Sequence, residues 1–331
     1  MSTVTLIPGD GIGPEVTHAA VRVLDAAGAA IQWERHDAGG GVIQKYGTPM
    51  PDHVIESIAR NKVALKGPIT TPVGKGFASA NVNVRKRLDL YANVRRAENI
   101  PGVPCRYENV KLVVVRENTE GLYSGIEHEV IPGVVESLKI ITRKASERIA
   151  RYAFKLARDE GWGKVTAVHK ANIMKMSDGL FLDCCREEAA RHPDIEYNEW
   201  IVDACSMQLV IDPTVFRVMV MENFYGDVIS DLTAGLVGGL GVLAGLNVGD
   251  DCAMFEAVHG SAPSIAGKNI ANPTALILCG VGLLERLGKT AEASRVLKAL
   301  YAALAAGEKT RDLGGSLGTH EFTDAVIRRL G

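Results

Sequence analysis

Two aspartates four residues apart, Asp227 and Asp231, give the sequence its first indication of chemistry. At that spacing on a helix both side chains project from one face, where two bare carboxylates repel each other. A divalent cation removes that repulsion, and carboxylate oxygens favour Mg²⁺ or Mn²⁺ over zinc. Asp203 follows a predicted strand at 200–202 and is a candidate third ligand. The alternative is a solvated helix face on which one aspartate caps the helix.

Three arginines, Arg85, Arg95 and Arg116, interrupt apolar stretches of the chain. A planar guanidinium binds a carboxylate through two parallel hydrogen bonds, so three of them suit a substrate with several carboxylates. Arg116 follows the predicted strand at 111–115, at the carboxyl end where α/β sheets bind ligands. Each arginine alone is also compatible with a surface ion pair. The three indicate a substrate site only if their side chains lie close together in the folded protein.

Lys170 follows the predicted strand at 165–168, and Tyr123 follows the charged loop at 116–120. A desolvated lysine can act as a base or as a hydrogen-bond donor. The alternatives are a surface lysine and a packed tyrosine. A glycine-rich stretch, GDGIGP at 9–14, lies between a strand and a helix. It lacks the third glycine of the dinucleotide fingerprint, so it predicts a tight turn into a helix.

Composition excludes several other classes of function. The 331 residues carry 37 basic and 39 acidic side chains, and aromatics make up 5%. Neither a basic face nor stacking platforms for nucleic acid are therefore expected. Residues 232–249 are uncharged, but six of them are glycine, so they predict a buried helix and turn rather than a membrane span. Six scattered cysteines and an N-terminus without signal-peptide character predict reduced thiols in a cytoplasmic protein.

Strand and helix signals alternate along the chain, which predicts an α/β protein with a mainly parallel sheet. Strands are predicted at 4–7, 111–115, 165–168, 200–202 and 218–221. Helices are predicted from Pro14 onwards and at 145–160, 177–191, 227–237, 273–287 and 290–306. Residues 121–141 have no helical period, and Pro132-Gly133 within them predicts a hairpin-like excursion.

Together and in this order, these stretches resemble the metal-dependent decarboxylating dehydrogenases of isocitrate, isopropylmalate and homoisocitrate. The matching stretches are GDGIG at 9–13, LDLYANVR at 88–95, RENTE at 116–120 with Tyr123, HKANIMK at 169–175, NFYGDVISD at 223–231, HGSAP at 259–263 and NP at 272–273. They extend over nearly the whole chain. Within that family the sequence looks most like the NAD-dependent isocitrate dehydrogenases.

The resemblance implies a fold of two intertwined α/β domains with a clasp, distinct from the Rossmann fold. It implies a large coenzyme-binding domain from residues 1–98 and 240–331, and a small domain from 99–239 that carries metal, substrate and dimer contacts. The clasp would lie at about 121–142 and meet its partner across a dimer axis. The implied assembly is a homodimer or higher homo-oligomer with shared active sites.

The resemblance also implies a reaction, in which isocitrate becomes 2-oxoglutarate and CO₂ while NAD is reduced. Asp227 and Asp231 would hold Mg²⁺ or Mn²⁺ with Asp203 of the neighbouring subunit. Lys170, also from the neighbour, would act in proton removal from the hydroxyl, and Tyr123 would protonate the enol carbon. The implied ligands of the tricarboxylate substrate are Ser79, Asn81, Arg85, Arg95 and Arg116. The implied coenzyme contacts are Thr71, Asn81, His259, Gly260, Ser261, Ala262, Ser264, Ile265, Asn272 and Asp312.

Two alternatives stay open at this point. The substrate is homoisocitrate or 3-isopropylmalate in other members of the family, although polar Ser79 and Asn81 favour isocitrate over the apolar isopropyl group. Some members are non-catalytic regulatory subunits of hetero-oligomeric isocitrate dehydrogenases. The coenzyme is expected to be NAD, because Ser264 and Ile265 stand where NADP enzymes carry a Lys-Tyr pair; Arg311 is the one cation that opposes this expectation.

Overall fold

The computed structural model describes residues 2–70 and 79–331, over which strands and helices alternate as predicted. The strands are β1 (Ser2–Ile7), β2 (Ile31–Arg35), β3 (Val63–Lys66), β4 (Ala92–Glu98), β5 (Lys111–Glu117), β6 (Glu127–Ile131), β7 (Val134–Ser137), β8 (Lys164–His169), β9 (Glu196–Ile201), β10 (Val218–Met221), β11 (Ala244–Val248) and β12 (Ala253–Ala257). The helices are α1 (Gly13–Ala26), α2 (Ile43–Tyr46), α3 (Asp52–Asn61), α4 (Ala80–Arg87), α5 (Arg143–Asp159), α6 (Ser177–Ala189), α7 (Val202–Ile211), α8 (Asn223–Leu236), α9 (Thr274–Arg286), α10 (Thr290–Ala305) and α11 (Thr319–Ile327). The predicted α/β class is confirmed.

The chain divides into two compact units. Unit 1 comprises Met1–Leu88, Asn99–Arg106 and Val237–Gly331, and unit 2 comprises Asp89–Glu98 and Tyr107–Leu236. The predicted domains divide the chain at slightly different residues, 98 and 240. Strand β4 belongs to unit 2 because it pairs along its whole length with β5. Each unit is thus built from segments that are distant in the sequence.

Unit 1 is a mixed sheet covered by helices. Its strand order is β2-β1-β3-β12-β11, parallel except for the antiparallel pair of β11 and β12. Helices α1, α9, α10 and α11 pack together, and their apolar residues join those of the strands in one core. The glycine-rich stretch forms the predicted tight turn between β1 and α1.

Unit 2 contains strands in the order β4-β5-β10-β8-β9, of which only the pair of β4 and β5 is antiparallel. Strand β10 lies between two parallel neighbours and is completely buried, so its residues form a continuous apolar run. Helix α5 packs on β5, β8 and β10 with the apolar face that its 3.6-residue period predicts. Helix α8 packs on β4, β5 and β10 and carries the aspartate pair.

The predicted hairpin-like excursion is confirmed as an antiparallel pair of β6 and β7. The turn contains Gly133 at φ +84°, a conformation that glycine adopts without strain. Every residue of both strands is exposed in the chain described here, including Ile131 and Val135. Such a cluster of exposed apolar side chains is typical of a protein–protein contact.

Three local predictions need correction. The strand expected at 200–202 is β9, which ends at Ile201, so that Asp203 lies in the first turn of α7. Helix α8 begins at Asn223 rather than at 227, because the Glu222 carboxylate accepts hydrogen bonds from the first free N–H groups of that helix. The uncharged segment 232–249 contains strand β11 as well as the predicted helix and turn, because pairing with β12 decides its conformation.

All six cysteines are free thiols, as predicted. Among the described residues, no helix combines the length and apolar composition that crossing a membrane requires.

Candidate active site

The aspartate pair of α8 is held by arginines from two strands of unit 2. Arg95 Nη1 on β4 donates to Asp231 Oδ1 over 2.6 Å, and its Nη2 lies 3.7 Å from Asp227 Oδ1. Arg116 Nη1 on β5 donates to Asp227 Oδ1 as well. The two carboxylates therefore share one helix face, as their spacing predicts, and two cations offset their mutual repulsion. The Asp231 side chain is exposed to solvent, but both carboxylates are paired with buried arginines.

Each arginine of this cluster is buried and held by a second set of contacts. Arg95 follows Asn93 by two residues on β4, so both side chains point the same way, and Arg95 Nε donates to Asn93 Oδ1 over 3.1 Å. Arg95 Nη1 also donates to Ser230 Oγ over 2.7 Å. The guanidinium of Arg116 lies 5.0 Å from the ring centroid of Tyr123. The two cations are thus fixed in place before any ligand binds.

Tyr123, in the short 3₁₀ turn Leu122–Ser124, donates its hydroxyl hydrogen to Asp227 Oδ2. Partial burial and the neighbouring Asp227 raise the pKa of Tyr123, so the phenol keeps its proton at neutral pH. Burial alone would raise the pKa of Asp227, but Arg116, Tyr123 and Arg95 outweigh it and lower that pKa. The site therefore holds an ionised carboxylate against a protonated phenol.

Lys170 and Asp203 form a separate pair in unit 2. Lys170 Nζ donates to Asp203 Oδ1, and Asp203 is exposed. Within residues 2–70 and 79–331, no three His, Cys, Asp or Glu side chains of this chain are grouped so as to hold a metal ion. Asp203 of the same chain thus does not complete a three-carboxylate site with Asp227 and Asp231.

Helix α4 carries the predicted substrate ligands of unit 1. Ser79 is its N-cap residue, and Asn81 lies in its first turn. Asn81 Oδ1 is buried and has no hydrogen-bond partner among the described residues. Arg85 is buried, and its Nη2 donates to Glu256 Oε1 over 3.0 Å. A buried acceptor without a donor is what a ligand-binding position leaves open in the absence of its ligand.

The turn before α1 contacts the loop that carries the predicted coenzyme residues. Ile12 N donates to Ser261 O over 2.8 Å, and the hydroxyls of Ser261 and Thr70 lie 2.6 Å apart. Gly11 has φ +59°, and a Cβ there would lie 1.9 Å from Ser261 O. Asp10 Oδ2 accepts from Thr70 N over 2.9 Å. The glycines of this turn therefore serve close contact between two backbones.

The remaining predicted coenzyme residues also lie in unit 1. Asn272 Nδ2 donates to Asp312 Oδ2 over 2.9 Å, and Thr310 Oγ1 donates to Asp312 Oδ1 over 2.5 Å, so the late loop is tied to the start of α9. His259 Nδ1 is 3.0 Å from Gly260 O, while its Nε2 is buried without a partner among the described residues. The hydrogen bond to Asp312 thus orients the Asn272 amide.

The segment after His259 is strained at one point. Ala262 has φ +38°, in the left-handed region, and the 3₁₀ turn Pro263–Ile265 follows it. Ser264 is exposed, whereas Ile265 packs against the core. Thr71, predicted to lie near the nicotinamide, falls outside the described residues.

The model of the isocitrate/isopropylmalate dehydrogenase family matches residues 3–326. The chain belongs to this family. The resemblance stated from the motifs is thereby confirmed, as is a fold distinct from the Rossmann fold.

Three similar proteins illustrate the relationship. The Arabidopsis thaliana mitochondrial isocitrate dehydrogenase [NAD] catalytic subunit 5 is 53% identical, over 99% of this chain and 88% of its own length. A regulatory subunit of the mitochondrial isocitrate dehydrogenase [NAD] of Dictyostelium discoideum is also 53% identical, over 99% of this chain and 91% of its own. The crystal structure of isocitrate dehydrogenase from Methylococcus capsulatus superposes with a TM-score of 0.97 at 50% identity, covering 100% of this chain and 99% of that one.

The prediction of a cytoplasmic location is wrong, because four curated relatives that are 50–53% identical to this chain are mitochondrial proteins. Free thiols indicate only reducing surroundings. Cysteine usage therefore gives no means of choosing between two reducing compartments.

Two contributors to the site carry no predicted role. Asn223 accepts hydrogen bonds from Arg116, and Glu256 accepts one from Arg85. Asn223 is the first residue of the matching motif at 223–231. Its amide can both donate and accept hydrogen bonds, and this is the sequence signal that could have identified it. Glu256 lies on β12, a strand that the sequence does not predict, so its hydrogen-bond partners could not be predicted either.

Proposed function

We propose that this chain is a catalytic isocitrate dehydrogenase that oxidises isocitrate with NAD and releases CO₂ and 2-oxoglutarate, in the presence of Mg²⁺ or Mn²⁺. The observation that carries the proposal is Asp227, whose ionised carboxylate is held by Arg116, Arg95 and Tyr123. The names of the similar proteins, isocitrate dehydrogenases that include NAD-dependent subunits, support it.

The aspartate pair fits a hard divalent cation. Asp227 and Asp231 offer carboxylate oxygens on one helix face, and the lowered pKa of Asp227 keeps that ligand ionised. A cation bound there would act as a Lewis acid toward the substrate hydroxyl and the developing enolate. The third ligand is proposed to be Asp203 of the neighbouring subunit, because the described residues of one chain contain no group of three such ligands.

The arginines provide the charge that a tricarboxylate requires. Arg95 and Arg116 are buried, and here they pair with the aspartates. A bound cation would compete for those aspartates and free the guanidinium N–H groups that now bond to them, so that they can donate to substrate carboxylates. Arg85, Ser79 and Asn81 stay predicted substrate ligands, and the unpartnered Asn81 Oδ1 supports that role.

The proton steps are assigned to Tyr123 and Lys170. Tyr123 holds its proton at neutral pH because its pKa is raised, as a general acid for the enol carbon must. Lys170 would act in removing the hydroxyl proton, in a site formed with a second subunit. The exposed apolar strands β6 and β7 support such an assembly, which we propose to be a homodimer or a higher homo-oligomer.

The proposed coenzyme is NAD, which would accept the hydride from the hydroxyl carbon of isocitrate. Its proposed contacts are His259, Gly260, Ser261, Ala262, Ser264, Ile265, Asn272, Asp312, Asn81 and Thr71. The buried, unpartnered Nε2 of His259 supports a ligand at this loop. Ile265 offers no hydrogen bond to a 2′-phosphate, and burying that dianion beside it is costly.

The second candidate function is a non-catalytic regulatory subunit, which the similarity to the Dictyostelium regulatory subunit favours. The presence of Tyr123, Lys170 and all three aspartates argues for catalysis. A panel of isocitrate, homoisocitrate and 3-isopropylmalate, each with NAD or NADP and Mg²⁺ or Mn²⁺, tests the proposal. The purified chain should form NADH fastest from isocitrate. Silence on every substrate, relieved by adding a partner chain, would favour the regulatory function.

A further inference from the structure

The side chain of Arg116 is enclosed by the first turn of α8. Arg116 is 1% exposed, the least accessible of the charged groups in the site. Asn223, the first residue of α8, accepts from Arg116 Nε over 3.0 Å and from Nη2 over 2.8 Å, through the same Oδ1 atom. Its Nδ2 donates to Glu120 O over 2.9 Å. Because both ends of this amide are bonded, its orientation is fixed, and one edge of the guanidinium is fixed with it.

Gly226, one turn further along α8, accommodates the stem of the same arginine. A Cβ at Gly226 would lie 2.4 Å from Arg116 Cγ, 2.6 Å from its Cβ and 2.9 Å from its Cδ. Glycine within a helix costs about 1 kcal/mol relative to alanine, so its presence at this contact needs a reason. The reason is steric, because no larger residue leaves room for the Arg116 side chain against the helix backbone.

We infer that Asn223 and Gly226 are positioning residues that fix Arg116 in the orientation in which it binds a substrate carboxylate. Gly226 sets where the stem lies, and Asn223 sets how the guanidinium is turned about it. This inference rests on the proposed function, in which Arg116 is a ligand of isocitrate. An arginine that is already ordered loses little rotamer freedom when the substrate binds.

The chemical nature of Asn223 matters as much as its position. An amide oxygen holds the guanidinium without placing a further negative charge beside Arg116. An aspartate at the same place would keep the acceptor and add a negative charge. It would also face Glu120 O with an oxygen in place of the Nδ2 donor. Asn223→Asp is therefore expected to weaken the binding of an anionic substrate although the side chains are nearly the same size.

The test measures isocitrate binding in the presence of Mg²⁺ by calorimetry, together with KM and kcat. Asn223→Ala, Asn223→Asp and Gly226→Ala should each raise the Kd and KM for isocitrate roughly 10-fold to 100-fold, the effect of losing hydrogen bonds to a charged group. The KM for NAD should stay within about 2-fold, which is less than one such hydrogen bond is worth. Asn198→Ala is the matched control, since it removes an amide of unit 2 that accepts from Thr166 and contacts no arginine of the site.

A double-mutant cycle separates positioning from a merely structural role. If Asn223 acts through Arg116, then Asn223→Ala adds less than about 2-fold to the Kd in an Arg116→Lys background. Full additivity of the two changes would overturn the inference, as would unchanged isocitrate binding in both Asn223→Ala and Gly226→Ala. If Asn223→Ala does not fold, the inference is tested by the Kd and KM for isocitrate of Gly226→Ala and Asn223→Asp. A wild-type chain that neither binds nor oxidises isocitrate would instead refute the proposed function.

Discussion

Replacing Glu256 with glutamine is expected to destabilise unit 1 severely, because it leaves two buried cations without their shared carboxylate. Glu256 Oε2 lies 2.8 Å from Lys66 Nζ, and Oε1 lies 3.0 Å from Arg85 Nη2. Asn247 Nδ2 also donates to Oε1, over 2.7 Å. All three charged groups are buried, and Lys66 is only 1% exposed. Neither cation can therefore turn to water when the carboxylate is removed.

The size of the loss follows from this burial. Removing one partner of a buried ion pair costs about 3–5 kcal/mol, because an uncompensated charge stays buried. Glutamine keeps one acceptor oxygen for one of the two cations, so we expect a value near the lower end of that range. The matched control is Glu196→Gln. Glu196 and Lys164 face each other on neighbouring parallel strands just as Glu256 and Lys66 do, but Glu196 is 64% exposed. This control should lose less than about 1 kcal/mol.

The assay is urea unfolding of both variants and the wild type, followed by circular dichroism and by hydrogen exchange of β3 and β12. Hydrogen exchange assigns the loss to unit 1, since two units need not unfold in one transition. Equal, small shifts for Glu256→Gln and Glu196→Gln would refute the reasoning, because the cluster would then be solvated.

The loss of stability in Glu256→Gln should depend on pH, and the direction follows from the pKa of Glu256. Burial alone would raise the pKa of Glu256, but Lys66 and Arg85 outweigh it and hold that pKa well below its usual range. The carboxylate therefore stabilises the fold above the ordinary glutamate pKa of 4.5, and this contribution is lost as the pH falls further. The stability gap between wild type and Glu256→Gln should narrow below that pH by up to about 1.4 kcal/mol per pH unit. A constant gap between pH 6 and pH 3.5 would contradict this.

Three further predictions concern the proposed reaction. The kcat/KM for isocitrate should exceed those for homoisocitrate and 3-isopropylmalate, and a preference for either rival would refute the polar pocket. Mixing a Lys170→Ala chain with a Tyr123→Phe chain should restore part of the activity, since one hybrid site receives both intact residues; verified heterodimers without activity would exclude shared sites. NAD should be preferred to NADP in kcat/KM, and Ser264→Asp should sharpen that preference, because a carboxylate binds ribose hydroxyls and repels a 2′-phosphate. A preference for NADP would mean that Arg311 outweighs the missing Lys-Tyr pair. An unchanged ratio of kcat/KM for NAD and NADP in Ser264→Asp would show that Ser264 does not contact the ribose.

Elements with a clear apolar pattern are the ones that the sequence predicts well, whereas the buried strands β3 and β12, each of which contains a charged residue, are not predicted. Strand β10, completely buried, matches the prediction at 218–221 residue for residue. Helices α5, α9 and α10 begin and end within two residues of their predicted ends. Strand β11 was missed, because Ala244 and Gly245 have little intrinsic preference for a strand and only pairing with β12 makes them one.

The site could be predicted in part for the same kind of reason. A spacing of four residues is enough to place Asp227 and Asp231 on one helix face. Their partners could not be predicted in this way, because Arg116 and Arg95 lie 111 and 136 residues earlier in the chain than the aspartates they pair with. Spacing within one element gives no access to such contacts. The role of Asn223 could be inferred only from atomic positions, since only hydrogen-bond geometry distinguishes a positioning amide from a helix cap.

The measurement that tests the central claim most directly is the balance of products formed from isocitrate by the purified chain with NAD and Mg²⁺. We expect equal amounts of NADH, CO₂ and 2-oxoglutarate, and none of these products in the presence of a metal chelator. We also expect a loss of at least about 100-fold in kcat for Asp227→Asn, since that aspartate is a proposed metal ligand and pairs with both arginines. NADH without CO₂, or full activity in Asp227→Asn, would contradict the account.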